Sequence, residues 1–110
     1  MEKMATMSSP SKAKGNRIER HIVNVFKDKD IDAKRAWGSN GKSIGEHEEV
    51  DVVAYINDKK WKFQVKGRKT IADYLKPDTD IVDAQILKED RREALVVLPL
   101  SIFIEMATNE

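Results

Sequence analysis

The chain has 110 residues, no cysteine, two histidines and a formal net charge of +1. That length suits one domain with a real core, the missing thiols exclude disulfides and thiolate metal sites, and His21 and His47 are too few for a dedicated zinc site. No apolar run approaches the ~20 residues of a membrane span, and the first dozen residues lack the apolar stretch of a secretory signal, so a soluble, cytoplasmic protein with no membrane partner is expected.

In chain order, residues 1–12 show no periodicity and are expected to form a flexible tail, leaving 13–110 as a single domain. A helix is predicted from Lys14 or Gly15, with Ile18, Ile22, Val25 and Phe26 on its apolar stripe and Glu19 on the flank of that stripe. Residues 32–37 form a short strand, and 38–45 a polar loop whose Gly38, Gly41 and Gly45 lack the spacing of a phosphate-binding P-loop. Two alternating segments follow. In 49–56, Val50, Val52, Ala54 and Ile56 fall on one side and Glu49, Asp51, Val53 and Tyr55 on the other; in 60–66, Trp61, Phe63 and Val65 face the core, with Lys60, Lys62, Gln64 and Lys66 opposite.

A two-residue turn at Asn57 and Asp58 sets Asp51 opposite Gln64, whereas a four-residue loop, 57–60, sets it opposite Lys66. Either register puts Asp51, Gln64 and Lys66 on one face of the hairpin; a bulge or an odd loop would break that match. Beyond it, residues 70–75 suit one or two helical turns stopped by Pro77, and 82–87 and 94–98 are strands joined by a charged turn. Ser101 is placed to cap a final helix with Ile102, Phe103 and Met106 as its apolar set. The order predicts an α/β fold, a mixed sheet of about five strands flanked by helices.

The near-zero net charge hides a segregation. Lys59, Lys60, Lys62, Lys66, Arg68 and Lys69 form one basic block, and Lys12, Lys14, Arg17 and Arg20 another, while acids gather at 46–51, 73–83 and 89–93. Taken alone, such charges equally suit an ordinary solvated surface.

Oxygen ligands converging with a lysine are the minimum set for metal-assisted phosphodiester hydrolysis. Asp51, the Gln64 side-chain oxygen and the Val65 carbonyl are hard donors of the kind Mg²⁺ accepts, Lys66 can stabilise developing negative charge, and Glu19 can orient water or hold a second ion. Asp51 and Lys66 alone would be an unremarkable cross-strand ion pair, adding at most about 1 kcal/mol. Glu19, Asp51, Gln64 and Lys66 in that order, on those elements, favour the nuclease chemistry.

That order resembles the PD-(D/E)xK nuclease superfamily, with its restriction-endonuclease-like fold. Within it the chain resembles the archaeal-type Holliday junction resolvases, including the small copies carried by phages. The resemblance rests on residues 15–23, GNRIERHIV; on Arg35 with Gly38 and Ser39; on Val50-Asp51-Val52-Val53; and on Val65-Lys66-Gly67-Arg68-Lys69. It covers residues 14 to about 69 well and the remainder loosely. One departure stands out: Gln64 occupies a position that is usually glutamate in the family it resembles, removing a negative charge for which Glu46, Glu48 or Glu49 could compensate from the preceding loop.

The resemblance implies a Mg²⁺-dependent endonuclease, with Mn²⁺ able to substitute, acting as a homodimer on four-way DNA junctions. It implies catalytic roles for Glu19, Asp51, Gln64 and Lys66, metal binding by Asp51, Gln64, Val65 and Glu19, and DNA contacts from Lys14, Arg17, Arg35, Ser39, Arg68 and Lys69. Ile102, Phe103, Ile104 and Met106 are interface or core candidates. Two alternatives stand beside it: another superfamily nuclease acting on other branched or foreign DNA, and a catalytically inactive DNA-binding module in which Gln64 marks a lost site.

Overall fold

The structure, a computed structural model, describes residues 10–36 and 44–109. The chain divides into two compact units, Met1–Gly67 and Arg68–Glu110. Its architecture is mixed α/β, with five strands in two antiparallel sheets and flanking helices, consistent with a restriction-endonuclease-like fold. No helix among the described residues is long and apolar enough to cross a membrane.

In the first unit, helix α1 spans Pro10–Lys27 and precedes a three-stranded sheet of β1 (Asp32–Arg35), β2 (Val52–Ile56) and β3 (Lys59–Phe63), in the order β1-β2-β3. The helix starts four residues before Lys14, because proline is well suited to a first helical position: its fixed φ matches the helix and its missing N–H has no partner there in any case. The buried stripe is also displaced from the expected one. Val23 and Phe26 are buried and Glu19 is 3% exposed, whereas Ile18, Ile22 and Val25 are half-buried.

Phe26 stacks on Phe63 of β3 with ring centroids 5.5 Å apart, so this face of the helix lies against the sheet. Burying Val23 and Phe26 contributes about 1.5–3 kcal/mol each. That apolar anchorage carries Glu19, one turn earlier, into the same interface.

The hairpin turn is the two-residue form. Asn57 and Asp58 both have positive φ, +50° and +66°, which is the type I′ geometry that matches strand twist, and Ile56 accordingly pairs with Lys59. The register runs back to Val52 opposite Phe63. Val52, Val53 and Ala54 are all buried, so β2 is covered on both faces at its centre.

The second unit, described by itself, holds a 3₁₀ turn (Asp73–Leu75), the hairpin β4 (Gln85–Leu87) with β5 (Leu95–Val97), and helix α2 (Leu100–Thr108). Ser101 does not cap α2. The N-cap is Pro99, whose φ of −59° and ψ of 144° end the extended segment there, and no side chain caps the helix. Ser101 therefore falls inside the first turn, and the buried residue of α2 is Ile104, with Ile102 and Met106 exposed.

Candidate active site

Local backbone geometry decides where the Asp51 carboxylate goes. In a regular ladder successive residues of a central strand bond alternately to its two neighbours. Ala36 N–H donates to the Asp51 carbonyl (2.9 Å), so Asp51 belongs to the set facing β1. Its own N–H instead donates to the Phe63 carbonyl (2.8 Å), although Phe63 already pairs with Val52. Two residues, Asp51 and Val52, thus oppose one, which is a β-bulge at the end of the ladder.

This changes the expected face-sharing. The turn is the one that would set Asp51 opposite Gln64, but the bulge interrupts the alternation and re-aims the side chain. The Asp51 Oδ2 accepts the Val65 N–H at 2.7 Å, and the residue is 8% exposed. Asp51 meets the Gln64-Val65-Lys66 segment through the Val65 backbone, not by strand parity. Gln64 and Lys66 are exposed on either side of half-buried Val65.

Glu19 reaches the same end of the sheet from α1. Its Oε1 lies 3.7 Å from Arg35 Nε, and Arg35 pairs with Val52, next to Asp51. A second contact joins the helix to the lysine segment: a Cβ placed on Gly67 would collide with Ile18 Cδ1. Ile18 precedes Glu19 and Gly67 follows Lys66, so this contact sets the helix against the lysine segment, and a side chain at 67 would require the end of Ile18 to shift. Gly67 and Ile18 are site-building residues that periodicity does not single out, because neither carries the chemistry. Glu19 and Asp51 are also the two polar residues buried among the described residues.

Asn16, one helical turn before Glu19, has its Oδ1 buried with no hydrogen-bond partner among the described residues. A buried orphan acceptor costs about 1–3 kcal/mol, and asparagine is a poor residue for a helix interior. Its spacing of three from Glu19 was the available signal, and apolar periodicity passes over it.

The other expected residues are placed as follows. Lys14 is half-buried and Arg17 exposed on α1, while Arg68 and Lys69 are exposed at the start of the second unit. Ser39 lies outside the described residues. Among the loop acids, Glu46 is bound to Lys60 by a hydrogen-bonded ion pair. That hydrogen bond, joined by the charges of Lys60 and Lys62, holds the Glu46 carboxyl below its ordinary range despite desolvation, and raises Lys60 above its own. Glu48 and Glu49 are exposed, the Glu49 N–H donating to His47 Nδ1 at 3.0 Å.

No group of three or more acidic, histidine or cysteine side chains gathers to hold a metal among the described residues. The oxygens that could hold a divalent ion here are the Asp51 carboxylate, the Gln64 amide, the Val65 carbonyl and, from the helix, the Glu19 carboxylate or the Asn16 amide. All are hard oxygen donors, which fits Mg²⁺ in character, since that ion keeps several waters and takes only one or two carboxylates.

Comparison with curated proteins and with solved structures gives no match. The family model described as archaeal Holliday junction resolvase (Hjc) matches residues 10–83, a span that includes α1, the three-stranded sheet and Glu19, Asp51, Gln64 and Lys66. With two-thirds of its length matched by that model, the chain belongs to the archaeal Holliday junction resolvase family.

Proposed function

We propose that the chain is a Mg²⁺-dependent endonuclease that resolves four-way DNA junctions. The observation that carries this reading is the burial of two carboxylates, Glu19 and Asp51, beside the segment that ends in Lys66. Buried carboxylates are costly to folding and gather where function requires them. Asp51 accepts the Val65 N–H, and the Arg35 guanidinium stands 3.7 Å from Glu19.

In this reading Asp51, the Gln64 side-chain oxygen, the Val65 carbonyl and Glu19 would hold the ion, with Mn²⁺ able to replace Mg²⁺. When bound, the metal supplies Lewis-acid polarisation of the scissile phosphate. The chain's own groups do the remainder. The Val65 N–H fixes the Asp51 carboxylate, Lys66 stabilises negative charge that develops on the phosphate, and Glu19 orients the attacking water. Arg35 lies beside Glu19 and can hold a neighbouring phosphate. Lys14, Arg17, Ser39, Arg68 and Lys69 supply further backbone contacts, which makes binding strongly salt-dependent.

Cutting two strands of a junction calls for two sites, so the functional species is a homodimer. Exposed Ile102 and Met106, four residues apart on α2, are suitable material for its interface. The test is the pair Asp51→Asn and Lys66→Ala on a labelled four-way junction. Both variants are expected to bind the junction and fail to cut it. Cutting at the unmodified rate by either one would overturn the site assignment, and binding without cutting by the unmodified protein, in Mg²⁺ and in Mn²⁺, would make this a DNA-binding module.

A further inference from the structure

A second feature of the first unit shares only Arg35 with the nuclease site. Between α1 and the edge strand β1 runs a groove with a cavity of about 390 Å³, lined by Arg20, Val23, Asn24, Lys27, Lys34 and Arg35. Four of its six lining residues are cations and none is an acid. This is unusual for a chain with 20 basic and 19 acidic residues, where mixed signs are the norm. Among the described residues Arg20, Lys27 and Lys34 form no ion pair, and the Asn24 side chain makes no hydrogen bond; the acids of the following turn, Asp28 and Asp30, do not line the groove.

We infer that this groove binds the sugar–phosphate backbone of a duplex arm of the DNA substrate, one strand running along α1 away from the nuclease site. Arg20, Asn24 and Lys27 recur at i, i+4 and i+7 and so form one stripe of the helix. From Arg20 to Lys27 the helix rises about 10 Å, enough to follow a short run of consecutive phosphates of one strand. Lys34 and Arg35 close the other wall.

Arg35 gives the track its direction, because it both lines the groove and stands 3.7 Å from Glu19. The groove thus begins where the candidate active site ends. No aromatic side chain lines it, so it offers no platform for unstacked bases, and its cations with one amide suit a backbone read without regard to sequence.

This inference rests on the nuclease reading for the identity of its ligand, and the experiment separates the two. Binding of a fluorescent four-way junction is measured in EDTA across a series of salt concentrations, for the unmodified protein, for Lys27→Ala/Lys34→Ala, and for Lys76→Ala/Lys88→Ala. The last pair removes the same charge from the second unit. Loss of one or two phosphate contacts should lower the magnitude of the slope of log Kobs against log [salt] by about 1 to 2 in the groove variant only. An unchanged slope in that variant, or an equal fall in the second-unit variant, would overturn the groove and leave the nuclease reading standing. Absence of salt-dependent binding by the unmodified protein would overturn both.

Discussion

Replacing Asp51 by asparagine separates what its carboxylate does for the fold from what it does for a metal. The residue is 8% exposed and its Oδ2 accepts the Val65 N–H at 2.7 Å. A hydrogen bond to a charged acceptor is worth about 1.5–3 kcal/mol, and to a neutral one about 0.5–1.5, so an amide oxygen in the same place gives up about 1 kcal/mol. Against that, the amide escapes the effective penalty for burying an ion, which is on the order of several kcal/mol. In EDTA, Asp51→Asn should therefore be at least as stable as the unmodified protein.

Asp51→Ala should lose about 1–3 kcal/mol, because the Val65 N–H is left with no acceptor. Magnesium then reverses the order. A ligand that binds only the folded state stabilises it by RT ln(1 + [L]/Kd), about 1.4 kcal/mol at ten times Kd, and Asp51→Asn should lose that gain. Urea unfolding followed by circular dichroism, in EDTA and in Mg²⁺, reads both effects. A loss of more than about 2 kcal/mol for Asp51→Asn in EDTA, with no effect of Mg²⁺ on the unmodified protein, would refute the reasoning and make Asp51 a structural residue.

Gln64→Glu restores the charge missing from the oxygen set, and cleavage is expected at equal or lower Mg²⁺; loss of cleavage in a metal titration would show that the amide itself is required. For Glu46 and Lys60, the lowered carboxyl means that the pair's contribution is present above the ordinary value of 4.5 and lost as pH falls through the lower folded value, while the raised ammonium means that it is present below 10.5 and lost as pH rises through the higher one. Coupling in a double-mutant cycle of Glu46→Gln and Lys60→Met, read from thermal melts, should accordingly be steady through neutral pH and vanish at the acid end; coupling that persists there would contradict it. Asp58→Gly should stabilise the hairpin by about 1 kcal/mol, since Asp58 holds φ at +66° and glycine pays no steric cost there, and a melt that falls would show that the Asp58 side chain has a role of its own.

Features coded by residue type or by turn chemistry were legible in the chain. The two-residue turn at Asn57 and Asp58 was one of the two loops the chain offered; both residues tolerate positive φ, and with that turn formed the register runs as far as Val52 opposite Phe63. One residue further on, legibility stops. The Asp51 bulge arises from competition between backbone donors for the Phe63 carbonyl, and no side chain announces it.

The buried face of α1 was misplaced for a related reason. Apolar periodicity sets the stripe on Ile18, Ile22, Val25 and Phe26 with Glu19 on its flank, whereas the packing of Phe26 on Phe63 turns Glu19 fully inward. The same count hides Asn16. Pairings that depend on tertiary approach, such as Ile18 against Gly67 or Glu46 with Lys60, have no sequence signal beyond residue size and charge. Ser101 misled because capping preference ignores its neighbour Pro99, which takes the N-cap position first.

The central claim is tested most directly by incubating the unmodified protein with a synthetic four-way junction and with a linear duplex of the same arm sequence, in Mg²⁺ and in EDTA, and mapping the cuts on each strand. The account predicts paired nicks in opposing strands of the junction in Mg²⁺, little cutting of the duplex, and none of either in EDTA. Equal cutting of both substrates, or cutting that survives EDTA, would contradict it.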